Sequence, residues 1–217
     1  MVQKNRKTSP PPKIETAAKP RRRGRPRAYE PEIALGKALD LFRKSGFAAT
    51  SLDDLSQATG MNRPSLYGAF GDKRELYIKS YQRYRDDARA ATVEIFREDM
   101  PIHKRLLRIY SVALDIYLDS ESPRGCFTVM TAGSEAVGDP DIRAMVLDAL
   151  AELDKAFAAS FRRAREKGEL ASSADVQTLG LLASAVLHTT AIRARAGVPR
   201  KELEASIKGA VDVMVGQ

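Results

Sequence analysis

Cysteine is nearly absent from this chain: Cys126 stands alone among 217 residues. A single thiol excludes an internal disulfide framework and fits a reducing compartment. Histidine is almost as scarce, with only His103 and His188, far apart in the sequence. There is no G-x-S-x-G elbow, no phosphate-cradling glycine loop and no Cys/His metal spacing. The Gly-Lys pair in "ALGKAL" lies inside a helical pattern and lacks the rest of a P-loop. The expectation is a protein that is not an enzyme and uses no metal or cofactor. Long apolar runs are missing too. The strongest, Leu179–Leu187, falls well short of the ~20 residues that span a bilayer. No apolar run follows the first basic residues, as a secretory signal would require. A soluble, cytoplasmic protein without membrane contact is expected.

What the chain has in excess is positive charge, gathered at one end. Residues 1–28 carry ten Lys/Arg against one acid, Glu15, while the whole chain is +8, so the remainder is close to neutral. The same stretch holds Pro10, Pro11, Pro12, Pro20 and Pro26 and few large aliphatics. It cannot bury enough apolar area to offset its ordering entropy, and it is expected to be disordered alone. A cationic tail on a near-neutral globule is drawn to a polyanion, with affinity that falls as salt rises.

From Glu30 onward the pattern is helical. Pro31 suits a first turn, and Ala34, Leu35, Ala38, Leu41 and Phe42 form one apolar face with Lys37, Asp40, Arg43 and Lys44 outward. Gly46 stops this helix. Ser51 caps a second helix that ends at Gly60, and Asn62 caps a third, Arg63–Phe70. Asp72 caps a fourth, with Tyr77, Tyr81, Tyr84, Ala88, Ala91 and Ile95 at alternating steps of three and four. A fifth helix runs from near Pro101 to about Leu118. "CFTVMTA" at Cys126–Ala132 has strand-like composition but no strand partner, so helix is the better reading. Asp139-Pro140 opens a long helix that ends at Gly168, and helices over Asp175–Ala196 and Pro199–Val215 complete the chain.

Three helices with Gly60 between the second and third fit a helix-turn-helix. The third helix buries little, as a segment lying in a major groove must. Its Arg63 fork matches the acceptors of guanine, and the hydroxyls of Ser65 and Tyr67 suit phosphate oxygens. Pro64 restricts the helix start. Lys73 sits in a first turn whose free N–H groups also favour an anion.

The run "TSLDDLSQATGMNRPSLYGAFGDKREL", Thr50–Leu76, resembles the DNA-binding segment of the TetR/AcrR family of bacterial transcription regulators. The match includes Thr50, Leu55, Ala58, Gly60, the Ser65-Leu66-Tyr67 triplet, Phe70, Lys73 and Leu76. "ALDLFRKSGFAATS" resembles the family's first helix and the turn behind it. The resemblance implies an all-α fold of about nine helices: an N-terminal three-helix helix-turn-helix domain and a C-terminal helical ligand-binding and dimerisation domain. It implies a homodimer, with Thr50, Tyr67 and Lys73 on phosphates and the start of the third helix on bases. The divisions are then 1–28, a basic arm, 29–76, the DNA-binding domain, and 77–217, the C-terminal domain.

Within the arm, Arg23-Gly24-Arg25-Pro26-Arg27 resembles an AT-hook core. Pro26 keeps Arg25 extended and Gly24 leaves a narrow groove unobstructed. Arg23, Arg25 and Arg27 are therefore candidates for the minor groove of A·T tracts. The candidate DNA set is these three with Thr50, Asn62, Arg63, Pro64, Ser65, Tyr67 and Lys73.

In the C-terminal half, Leu179–Leu187 is apolar nearly all round and must be covered on two sides. The last helix carries a stripe of Leu203, Ile207, Val211 and Met214. The resemblance implies a dimer interface on the last two long helices, so Leu179, Leu182, Ala183 and Val186 with this stripe are the candidates for it; such a dimer would place two recognition helices one DNA turn, ~34 Å, apart. A small-molecule pocket is expected beyond the fourth helix, with His103, Leu106, Tyr110, Tyr117, Cys126, Phe127, Met130 and Met145 as candidates. Such a lining suits a largely apolar effector. Cys126 reads either as a redox or electrophile sensor or as a buried structural residue. The resulting expectation is a ligand-responsive repressor on a palindromic operator. The competing readings are an architectural binder of AT-rich DNA without an effector, and a cysteine-dependent enzyme.

Overall fold

The computed structural model describes residues 30–119 and 124–216, and every regular element among them is a helix. Ten helices follow in order: α1 Pro31–Ser45, α2 Leu52–Thr59, α3 Arg63–Phe70, α4 Lys73–Arg97, α5 Ile102–Tyr117, α6 Phe127–Gly133, α7 Glu135–Gly138, α8 Pro140–Glu166, α9 Val176–Arg195 and α10 Arg200–Val215. Polar residues ahead of the helices act where the sequence places them. Ser51, Asn62, Asp72, Asp139 and Asp175 each accept hydrogen bonds from first-turn amides. The caps at Ser51 and Asp72 are reciprocal, since Asp54 and Glu75 accept in return from the cap amides. "CFTVMTA" is helical, as α6. Ser134 then breaks the helix (φ −127°, ψ −84°), and the single turn of α7 follows. That break makes the described count ten where the family resemblance implies about nine.

α1 packs on α2 and α4, and α3 closes against α2 and α4. α4 runs for 25 residues without a break. Residues 76 and 77, where the DNA-binding and C-terminal segments divide by sequence, are consecutive positions inside it. A cluster of rings spans this junction. Tyr77 lies edge-on to Phe42 at 5.0 Å, to Phe47 at 5.3 Å and to Phe127 at 5.2 Å between centroids. Its hydroxyl is 2.8 Å from Thr131 Oγ1 and donates to Glu135 Oε2 at 3.0 Å.

In the C-terminal half, α8 and α9 form the most extensive pair and α10 packs on α5 and α9. Gly180 marks the closest approach of α9 to α8. A Cβ there would stand 2.8 Å from the Ala158 nitrogen and 2.9 Å from its Cα, so only glycine fits. No helix among the described residues is long and apolar enough to cross a membrane.

Arg43 departs from the sequence pattern. Periodicity puts it outward, yet it is 5% exposed. The end of α5 and the segment entering α6 cover the last turn of α1. They supply Asp119 Oδ2 at 2.9 Å and the carbonyls of Ile116 at 2.8 Å and Gly125 at 3.4 Å to the guanidinium. The guanidinium also stacks 5.3 Å from the centre of the Tyr84 ring. Ala91, on the expected apolar face of α4, is exposed instead.

Candidate DNA interface and adjoining cavity

The turn between α2 and α3 is made by Gly60 at φ +73°, whose amide donates to the Ser56 carbonyl. That left-handed conformation costs an L side chain roughly 1–2 kcal/mol. Met61, 3% exposed, anchors the turn from inside. Asn62 Oδ1 then accepts from the Ser65 amide at 2.9 Å and starts α3, where Pro64 needs no donor. Leu66 and Phe70 point into the core. Asn62, Arg63, Pro64, Tyr67 and Gly68 are exposed, with Ser65 half-buried. The outward face is short, polar and free of acids.

Arg63 is not idle on that face. Its Nε and Nη2 donate to Asp53 Oδ1 at 3.2 and 2.8 Å, so one carboxylate of α2 holds the guanidinium in the free protein. Lys73 stands at the edge of the same surface with Nζ 4.3 Å from the centre of the Phe47 ring. Partial burial lowers its pKa, opposed by the charges of Glu135 and Asp54. The structure removes Thr50 from the phosphate contacts. It is 1% exposed, its hydroxyl donates to the Gly46 carbonyl at 2.6 Å, and its amide donates to the Phe47 carbonyl at 3.2 Å. Both of its donors serve the α1–α2 turn. Arg23, Arg25 and Arg27 lie outside the described residues.

Below this unit, α4, α5, α6, α8 and α9 enclose a cavity of about 390 Å³. It runs along α4 from Tyr84 to Arg97, and α8 forms the opposite wall from Ala149 to Arg163. Side chains of both helices cross the cavity. Glu152 binds Arg85 at 3.1 Å and also Arg89, and farther along Arg163 donates to the Phe96 carbonyl. Of the eight pocket candidates, Tyr117 and Cys126 line this space. Burial foremost, then the adjacent Cys126 thiol, pushes the hydroxyls of Tyr84 and Tyr117 far above the usual tyrosine range.

The other six candidates are placed elsewhere. His103 is 2.9 Å from Asp212 and ties α5 to α10. Leu106 and Phe127 are 0% exposed within the core, and Tyr110 donates to the Ala183 carbonyl at 3.0 Å. Met130 borders a separate recess with Val129 and Ile192. Met145 is half-buried, and its carbonyl accepts from Arg85. In their place α4 supplies Arg85, Arg89 and Phe96, α8 supplies Glu152 and Leu153, and α9 supplies His188. Burial lowers the His188 pKa, opposed by the charge of Asp154. The spacing of Arg85 and Arg89, one turn apart on a helix rich in tyrosine, was the signal available for this wall.

Two family models match the chain. Residues 34–79 match the model for bacterial regulatory proteins of the tetR family, and residues 103–209 match the tetracyclin repressor-like C-terminal domain. The chain belongs to the TetR family. It is a DNA-binding, helix-turn-helix transcriptional regulator. Among relatives it is similar to the HTH-type transcriptional repressor ComR of Escherichia coli (strain K12), 28% identical over 83% of this chain and 87% of that one. It is 33% identical to the repressor BdcR of the same strain over 49% of this chain and 54% of that one. Its fold matches a cysteine mutant of the TetR family regulator CifR complexed with 26-base-pair operator DNA. The TM-score is 0.78 at 27% identity, covering 87% of this chain and 98% of that one. These relatives are transcriptional regulators.

In this TetR-family chain the faces of α9 and α10 differ from the sequence assignment. Ala183, Leu203, Ile207, Val211 and Met214 are at most 8% exposed and pack inside the chain's own core. The α10 stripe is the side that meets α5 and α9, so it is not available to a partner. Leu179 and Val186 are half-buried, and Leu182 is 47% exposed. The outward apolar residues of these helices are Leu181, Leu182, Ile192 and Val213, the last 81% exposed.

Proposed function

We propose that this chain is a repressor that binds a palindromic operator as a cytoplasmic homodimer and releases it when a small molecule enters the α4–α8 cavity. One arrangement carries the reading. The helix that walls the cavity from Tyr84 to Arg97 begins at Lys73, beside the exposed face of α3. A ligand that alters the distance between α4 and α8 acts on the helix against which α3 is packed. Its effect on operator affinity is limited to its differential affinity for the two forms. The relatives ComR and BdcR, both repressors by name, support the direction of the output. Leu181, Leu182, Ile192 and Val213 supply apolar surface for a twofold contact. Division into residues 29–76 and 77–217 describes the two tasks, joined by α4. Arg23, Arg25 and Arg27 of the arm add minor-groove contact beside the main site.

The test is selection of bound duplexes from a random pool. A palindrome with half-sites about one turn apart is expected. Arg63→Ala should cost about 1–3 kcal/mol and relax base preference at one position per half-site. Lys73→Ala should weaken all sequences alike and flatten the salt dependence. A monomer that enriches no sequence would refute the proposal.

A further inference from the structure

We infer that the effector is an apolar monocarboxylate whose acid group is held by Arg85 and Arg89 at the mouth of the cavity. This rests on the reading of that cavity as the effector site. Its lining contains four guanidinium groups, Arg85, Arg89, Arg97 and Arg163, against one carboxylate, Glu152. Glu94 pairs with Arg97 from outside the lining. The rest of the wall is mostly apolar, including Val93, Phe96, Ile109, Leu150 and Leu153. A neutral apolar ligand would leave the surplus positive charge uncompensated as it displaced water. A cationic one would add to it. An acid with an apolar body meets both demands.

Glu152 identifies the head group and its position. Its two carboxylate oxygens bridge Arg85 and Arg89, one to each guanidinium. Each guanidinium can serve a carboxylate bidentately, so the pair has donors for a second one. The Arg85 side chain is 26% exposed and that of Arg89 66%, so the acid stays near water while its tail enters the apolar interior. The bound acid shares the two guanidiniums through which Glu152 bridges α4 and α8, and binding is thereby coupled to the spacing of those helices. The volume of about 390 Å³ lies at the lower end of ligand cavities and suits a medium-length chain or a ring acid.

Three probes with one tail test this on the full chain by calorimetry: decanoate, decanamide and decylammonium. Decanoate is expected to bind about tenfold or more tightly than decanamide, as a charge-assisted head group should, and decylammonium weakest. Arg85→Gln with Arg89→Gln should bring decanoate down to the decanamide value. Should the double variant fail to fold by circular dichroism, Arg89→Gln alone, at an exposed position, should remove most of the preference. Equal binding of acid and amide, a preference that survives the substitutions, or no binding of decanoate would each overturn the inference. Release of a selected duplex separates the two claims. Amide that binds as well as acid and releases DNA overturns the acid site and leaves the effector reading. Acid that binds with preference and leaves DNA affinity unchanged supports the acid site and overturns the effector reading.

Discussion

Asp53 holds the group expected to read bases, so the free protein must break a contact before it can bind. The Arg63–Asp53 pair is 2.8 Å long with side chains 55% and 76% exposed. An exposed pair of this kind is worth about 0.2–1 kcal/mol. Asp53→Ala therefore removes a competitor of DNA and should tighten operator binding by about 1.4- to 5-fold. Loss of a negative charge near the phosphates adds a second gain, which does not require Arg63 and shrinks with salt. A double-mutant cycle separates the two effects. Fluorescence anisotropy with a labelled operator should be run on the parent, Asp53→Ala, Arg63→Ala and the double variant at two ionic strengths. The phosphate gain should survive in the Arg63→Ala background and the competition gain should vanish there. If Asp53→Ala weakens binding, or its effect is identical in both backgrounds, Asp53 does not compete with DNA for Arg63.

Three further outcomes can be checked by unfolding. Gly180→Ala should cost about 1–3 kcal/mol by overpacking against Ala158, despite a helix-propensity gain of up to about 1 kcal/mol; a lowered urea midpoint with unchanged slope is the expected record. Arg43→Met should cost about 2–3 kcal/mol, seen as a fall in Tm, because Asp119 and the Ile116 carbonyl lose their donor. Asp139 is held down to about 2, chiefly by its hydrogen bond from Arg74 and then by the α8 amides. A carboxyl with a folded pKa below its unfolded value stabilises above roughly pH 4, and that stability is lost as pH falls toward 2. Asp139→Asn keeps the cap and should flatten the acid arm of stability measured by urea melts between about pH 4 and 2.

Much of the fold was legible because helix ends are written in local code. Ser51, Asn62, Asp72, Asp139 and Asp175 bond to amides two or three residues away, so a short window contains the whole interaction. Gly60 is equally local. Apart from Thr50, whose acceptors are the nearby carbonyls of Gly46 and Phe47, the readings that changed depend on distant partners. Arg43 is buried by groups 73 to 82 positions away, and a helical wheel has no place for them. The α10 stripe is apolar by sequence whether it meets α5 or a second subunit, and periodicity does not distinguish the two. The cavity was the least legible feature. It is a place where side chains do not meet, and polar residues such as Arg85 and Thr92 face it from a side of α4 that looks solvent-facing by pattern. Arg63 was identified by its type, but its tie to Asp53 crosses the turn and depends on the angle between two helices.

The rings around Tyr77 decide what can be grafted. A chimera spliced after residue 76 would strip Phe42 and Phe47 of the ring on which both lean, and Tyr77 would keep only Phe127. A transplantable reading head must therefore carry α4 at least through Tyr84, and its recipient must offer an aromatic ring where Phe127 stands.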